Sequence, residues 1–144
     1  MATDQLISAG TFTLLGPGGH LAHVAHVGER RPIVVLPPDG TRQQQWEVRP
    51  ESGTYTLRNV ATGYYLGHDD DPNEPAMRIM GSKQPYRWRT GQGPDEDPNT
   101  YLLSPDASND RLVLTHSLLR LYPLHAAILP SSRYHDPEWS FRPI

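Results

Sequence analysis

Two adjacent arginines stand between a turn-forming glycine and a proline in the segment Gly28-Glu29-Arg30-Arg31-Pro32. A guanidinium stays charged at physiological pH and binds a carboxylate through two parallel hydrogen bonds. Trypsin-like serine proteases hold an aspartate in their primary specificity pocket, so an arginine on a rigid loop could occupy that pocket as a substrate-like inhibitor. Two arginines on a short loop are also ordinary solvated surface, and the residue types alone leave both interpretations open.

The proline indicates which arginine would enter a protease pocket. Pro32 fixes its own φ and restricts Arg31 to extended conformations, as a substrate-like loop requires. If Arg31 occupied the pocket, the proline would directly follow the scissile bond, where these proteases generally do not accommodate it. We therefore expect Arg30 in the pocket, with Glu29 and Arg31 on either side.

Other chemistry-bearing patterns are weaker. The chain has no Gly-x-Ser-x-Gly elbow, glycine-rich phosphate loop or His-Glu-x-x-His pair, so we expect no catalysis. His20, His23 and His26 are spaced by three, but in a strand His23 faces away from the other two. The acidic segment 68–74 lacks the spaced oxygen ligands and the glycine of a calcium loop. We expect neither a metal nor a cofactor.

Composition limits the class of protein. A chain of 144 residues fits one domain, residues 1–144, and its 15 prolines and 12 glycines favour short elements joined by turns. A net charge of −3 gives no footprint for nucleic acid, and the absence of cysteine excludes disulfides and zinc–thiolate sites. The N-terminal residues do not resemble a signal peptide, and no apolar stretch reaches the roughly 20 residues of a membrane span. We expect a cytoplasmic monomer without a membrane partner.

The elements that would position these residues recur three times. Each of the three tryptophans, Trp46, Trp88 and Trp139, follows an opening segment that reads small-Thr-aromatic-x-Leu, the alternation of a half-buried strand. These opening segments are Gly10-Thr11-Phe12-Thr13-Leu14-Leu15, Gly53-Thr54-Tyr55-Thr56-Leu57-Arg58 and Asn99-Thr100-Tyr101-Leu102-Leu103-Ser104. Self-similarity of this kind predicts a repeat architecture.

Two further strands are predicted in each unit between the opening segment and the segment with the tryptophan, which is the fourth strand. The second strand lies at residues 21–25, 64–67 and 111–114, and the third at residues 33–38, 77–82 and 126–131. We therefore predict an all-β fold of twelve short strands in three units, residues 8–50, 51–94 and 95–144. One or two helical turns are possible at residues 115–122. The predicted core residues are Leu14, Leu36, Leu57, Leu66, Leu112 and Ile128.

Three four-strand units that each close on a tryptophan resemble the β-trefoil. Within that fold, the chain resembles the mushroom β-trefoil serine protease inhibitors, the mycospin group. The residues that carry this resemblance are Gly10-Thr11-Phe12-Thr13 and the run Arg30-Arg31-Pro32-Ile33-Val34-Val35-Leu36-Pro37 followed by Trp46. The resemblance implies inhibition of a trypsin-like protease through residues Gly28 to Pro32. Arg49, placed in the loop between the first two units, is an alternative contact that the following Pro50 weakens.

Two other β-trefoil families remain as alternatives. Gln44-Gln45-Trp46 resembles the Gln-x-Trp signature of ricin-B-type lectins, which would imply carbohydrate binding, although the other two units lack that glutamine. The mycocypins inhibit cysteine proteases, and some present an asparagine in the first hairpin of the second unit as bait for asparaginyl endopeptidases. Asn59 occupies the corresponding hairpin, but Asn59-Val60-Ala61-Thr62-Gly63 is also a common turn sequence.

Overall fold

The structure, a computed structural model, describes residues 7–16, 23–25, 33–37, 39–68, 77–92, 100–105, 112–116, 124–130 and 139–144. Most of these residues lie in strands, and Arg42–Gln44 form a 3-10 helix. The strands, in chain order, are β1 (Gly10–Leu15), β2 (His23–Ala25), β3 (Val34–Leu36), β4 (Trp46–Glu51), β5 (Thr54–Asn59), β6 (Tyr65–His68), β7 (Met77–Ser82), β8 (Trp88–Gln92), β9 (Thr100–Pro105), β10 (Leu112–His116), β11 (Leu124–Pro130) and β12 (Trp139–Pro143).

Six of these strands close into a barrel. β1 pairs with β4, β4 with β5, β5 with β8, β8 with β9, β9 with β12, and β12 with β1, all antiparallel. At the closing seam, Phe12 lies opposite Pro143 on one side and Trp46 on the other. Each set of four consecutive strands therefore contributes its first and last strand to the barrel.

The other six strands form three hairpins beside the barrel: β2 with β3, β6 with β7, and β10 with β11. β11 also pairs with β3 and with β7, so the hairpins contact one another as well as the barrel. A six-stranded barrel with three such hairpins is a β-trefoil. The predicted fold class is confirmed.

The three tryptophans fill the centre of the structure. Trp46, Trp88 and Trp139 are all buried in one hydrophobic cluster. The indole N–H of Trp88 donates to the carbonyl oxygen of Leu66 at 2.9 Å, and that of Trp139 donates to Leu114 at 3.0 Å. Both acceptors lie in the second strand of their own four-strand unit, so Trp88 and Trp139 are structurally equivalent, as the repeat predicts.

The predicted core is partly correct. Leu14, Leu57 and Leu66 are fully buried, as expected from the strand alternation. The prediction for Leu36 is wrong: it is half-buried, because β3 ends there and the chain continues to the exposed Pro37. Ile33 and Val34 fill the core instead. The predicted burial of Leu112 and Ile128 concerns side chains outside the described part of the structure.

Several predicted strand bounds agree with the structure. β1 ends at the predicted Leu15, and β7 begins and ends at its predicted residues. The predicted helical turn does not begin at residue 115, because Thr115 and His116 continue β10, paired with Ala127 and Ala126 of β11. Residues 117–122 lie outside the described part of the chain.

The turn between β4 and β5 carries local strain. Its two central residues, Ser52 and Gly53, have φ values of 52° and 82°, and Glu51 pairs with Thr54 around them. Positive φ at both central positions defines a type I′ turn, whose twist matches that of the two strands. Glycine adopts this conformation without a steric penalty, whereas serine lacks the preference that asparagine shows for it.

Ser52→Asn is therefore expected to stabilise the protein by about 0.5–1 kcal/mol, because asparagine tolerates the left-handed conformation better than serine. Urea denaturation should show a higher midpoint with an unchanged slope. As a control, Ser52→Val should lower the midpoint, because a β-branched side chain is poorly accommodated at positive φ. Equal midpoints for all three proteins would contradict the proposed strain.

Candidate functional site

The first predicted site, residues Gly28, Glu29, Arg30, Arg31 and Pro32, lies outside the residues that the structure describes. The same holds for His20, His26 and the acidic residues 69–74. The choice of Arg30 as the residue that enters a protease pocket stays a prediction. The flanking strand residues on the described sides are Ala25 of β2 and Val34 of β3, which pair with each other.

Arg49 occupies a different place from the one predicted. It lies within β4, opposite Thr56 of β5, and not in a loop between units. The next residue, Pro50, continues the strand opposite Tyr55, so the Arg-Pro pair does not mark a turn here. The Arg49 side chain is 76% exposed, and its Nε lies 3.1 Å from Oε1 of Glu47. A residue fixed in a hairpin ladder lacks the protruding backbone that a substrate-like inhibitor inserts into a protease cleft.

Asn59 is a structural residue of the hairpin between β5 and β6. The residue is 1% exposed. The amide oxygen accepts hydrogen bonds from the backbone N–H groups of Ala61 and Thr62 at 3.0 and 3.1 Å, and Nδ2 donates to the carbonyl of Gln43 at 2.9 Å. Presentation of Asn59 as protease bait stays a prediction, and it would require this side chain to leave all three bonds.

Gln44 of the Gln-x-Trp sequence has a comparable structural role. It is buried, its Oε1 accepts a hydrogen bond from the backbone N–H of Asp39 at 3.0 Å, and its Nε2 donates to the carbonyl of Pro37 at 2.8 Å. These bonds fix the segment that follows β3. At the matching place before Trp88 stands Tyr86, whose ring packs on the indole with 5.2 Å between centroids. In the first unit, the glutamine thus holds the segment after β3 in place.

A small pocket lies where β4 and β5 meet the turn after β5. It has a volume of about 180 Å³ and is lined by Glu47, Arg58, Asn59, Val60 and Gly63. Glu47 and Arg58 lie opposite each other in the register of the two strands. A carboxylate, a guanidinium and the aliphatic Val60 thus surround one concave surface, which suits a polar ligand with some exposed C–H groups.

Sequence reasoning did not find this pocket, although it singled out Asn59 beside it and Arg49 next to Glu47. The signal was present in the register: a predicted hairpin places Glu47 opposite Arg58 once the turn at Ser52 and Gly53 is recognised. The hydrogen bond from Arg58 to the carbonyl of Gly63, by contrast, can be recognised only once the three-dimensional shape of the turn is known.

Neither metal binding nor membrane insertion receives support from the described residues. In that part of the chain, no group of three or more His, Asp or Glu side chains is placed to hold a metal ion. Among the same residues, no helix has the length and apolar character needed to span a membrane.

Several solved structures share this architecture. The Macrolepiota procera ricin B-like lectin, solved in complex with lactose, has a TM-score of 0.77 at 19% identity, over 96% of this chain and 99% of that chain. The Rhizoctonia solani agglutinin has a TM-score of 0.77 at 16% identity, over 96% and 97%. The Polyporus squamosus lectin, bound to a human-type influenza-binding epitope, has 0.74 at 14%, over 94% of this chain and 49% of that chain. At such identities the likeness establishes the fold.

Sequence similarity identifies a family for this chain, whereas structural likeness identifies only its fold. Comparison with curated protein sequences gave no match. A family model described as ricin-type beta-trefoil lectin domain-like matches residues 42–117, which is more than half of the chain. That segment includes the 3-10 helix, Trp46, Trp88 and the whole pocket beside Asn59. The chain therefore belongs to the ricin-type β-trefoil lectin domain-like family.

Proposed function

We propose that this protein binds carbohydrate, as a monomer and without catalysis. The observation that carries the proposal is the family match over residues 42–117. The structural neighbours support it, because several of them are lectins, including the Macrolepiota procera protein solved with lactose. Fold alone does not fix function, so the proposal depends on the family match and on its test.

The expected serine protease inhibition is less well supported. The resemblance to the mycospin group is not confirmed by the family match, which favours the lectin alternative. The missing Gln-x-Trp glutamines had counted against a lectin, but the bonds of Gln44 to Asp39 and Pro37 give that residue a structural role. One sequence feature still favours inhibition as a second candidate: the Arg30-Arg31-Pro32 segment, with Arg30 in the primary pocket of a trypsin-like protease.

Both candidates can be tested on the same preparation of protein. The labelled protein would be applied to a glycan array that includes lactosides, and trypsin and papain would be assayed with and without it. We expect binding to a subset of glycans that the free sugar displaces, with both protease activities unchanged. Heat-unfolded protein is the control for non-specific adhesion.

The opposite result would replace the proposal with the second candidate. If no glycan is bound and trypsin is inhibited, Arg30→Ala should weaken inhibition by more than about tenfold, because the protease aspartate would lose its bidentate partner. Arg31→Ala and Arg49→Ala should have smaller effects, and Arg49→Ala removes a guanidinium that lies on a barrel strand. Inhibition that all three variants retain would exclude the arginine-loop mechanism.

A further inference from the structure

The guanidinium of Arg58 is held in one place by the turn that follows β5. Its Nε donates to the carbonyl of Gly63 at 3.0 Å. A Cβ added to Gly63 would stand 3.3 Å from Nη2 of Arg58, and Gly63 has a φ of 76°, so glycine permits both the turn and the close approach. An arginine fixed in this way loses less conformational entropy when it binds a ligand than a freely rotating one does.

Among the described residues, the η nitrogens of this guanidinium have no anionic partner. Glu47 lies opposite Arg58 in the strand register, but its Oε1 is engaged by Nε of Arg49 at 3.1 Å. In the described part of the chain, no carboxylate forms an ion pair with Arg58. With two guanidiniums and one carboxylate, the pocket and its edge favour an anionic ligand.

The remaining surface of the pocket suits a sugar ring. Val60 is 40% exposed and, with Ile144, one of two large aliphatic side chains exposed among the described residues. It offers contact to the C–H groups of a ring, while Glu47 can accept hydrogen bonds from hydroxyl groups. A volume of about 180 Å³ is small for a drug-sized ligand and limits the site to a single small unit.

We infer that this pocket binds a carboxylate-bearing sugar unit, such as a uronic acid. The carboxylate pairs with the η nitrogens of Arg58, hydroxyl groups donate to Glu47, and the ring lies against Val60. The inference rests on the proposed carbohydrate binding and specifies an acidic ligand class for one site. The same chemistry is offered by a free hydroxy acid or a simple carboxylate, and the test separates these sources.

The test is a titration of the isotope-labelled protein, followed by backbone amide shifts, with methyl glucuronide, methyl glucoside, lactate and acetate. We expect methyl glucuronide to shift the amides of Val60 and Gly63 saturably. Methyl glucoside should bind with at least about tenfold lower affinity, because it lacks the carboxylate. Shifts of equal size with lactate or acetate would overturn the sugar part of the inference, and no shift with glucuronide would overturn it entirely.

Variants distinguish a specific contact of Arg58 with the ligand from a general effect of positive charge on binding. Arg58→Gln should weaken glucuronide binding at least about tenfold, and Arg58→Lys should weaken it less, because the charge remains but the planar fork is lost. Arg87→Gln is the matched control: it removes the same charge from an exposed arginine that pairs with Glu51 outside the pocket. Equal losses in Arg87→Gln and Arg58→Gln would refute a specific site.

The array and the titration distinguish the two proposals. If neutral glycans bind and Arg58→Gln changes nothing on the array or in the titration, carbohydrate binding stands and the acidic-sugar site is excluded. If no glycan binds the array but glucuronide and lactate shift Gly63 equally, the pocket is a general carboxylate site, and both the proposed carbohydrate binding and the sugar part of the inference are excluded.

Discussion

Trp88→Ala is expected to remove a large part of the stability of the fold. The side chain is fully buried, and its indole N–H donates to the Leu66 carbonyl at 2.9 Å. Truncation of a buried tryptophan to alanine costs about 3–5 kcal/mol for the cavity, and the carbonyl left without its donor adds about 1 kcal/mol or more. Domains of this size have total stabilities of about 5–15 kcal/mol, so the variant should be marginally folded at 25 °C. Urea denaturation of the purified variant is the measurement.

Two control variants show which part of the Trp88 side chain accounts for the loss of stability and whether Trp139 has the same role. Trp88→Phe keeps most of the apolar volume and removes the N–H donor, so it should cost clearly less than Trp88→Ala. Trp139→Ala removes the equivalent contact to Leu114 in the third unit and should cost about as much as Trp88→Ala. A wild-type midpoint for either alanine variant would show that these tryptophans do not hold their units together.

Asn59→Ala has the second-largest expected effect. It deletes three hydrogen bonds at once: those from the N–H groups of Ala61 and Thr62 to the amide oxygen, and the one from Nδ2 to the carbonyl of Gln43. Unpaired buried groups cost about 1–3 kcal/mol each, and partial access to water at the turn reduces the total to about 2–4 kcal/mol. Thermal unfolding should show a lower midpoint, and hydrogen exchange should accelerate first at Ala61 and Thr62.

Thr62→Ala is the control within the same turn. The Thr62 hydroxyl accepts a long hydrogen bond from the Tyr64 N–H at 3.4 Å, and the loss of a bond of this length should cost less than about 1 kcal/mol. If Asn59→Ala is no more destabilising than Thr62→Ala, the asparagine does not hold the turn. In that case the bait interpretation of Asn59 would regain support, because the side chain would be released at little cost.

Much of the fold follows from local sequence patterns. The small-Thr-aromatic-x-Leu segments place Leu14 and Leu57 in the core, because alternation in a strand determines which side chains face inward. The predicted place of Arg49, in a loop between the first two units, is wrong, because Arg49 and Pro50 continue β4 opposite Thr56 and Tyr55. In a hairpin with only two residues in its turn, the strand extends further than proline content suggests.

The candidate site was harder to predict than the fold. The pocket depends on contacts that follow from the register and turn geometry together, above all Arg58 against Gly63 and Glu47 across from Arg58. No periodic pattern encodes such a juxtaposition. The choice between inhibitor and lectin was equally hard, because Gln44 can be recognised as structural only when its bonds to Asp39 and Pro37 are known.

Closure of the barrel also affects how the chain must fold. β1 completes its pairing only when it meets β12, with Leu14 opposite Phe141 at the other end of the sequence. Contacts of such long range carry a large loop-closure entropy and slow folding to the millisecond-to-second class typical of all-β proteins. During synthesis on the ribosome, β1 and β4 can pair early, but the barrel stays open until β12 has emerged. Until then, β1 exposes an unpaired edge that chaperones or other chains can reach.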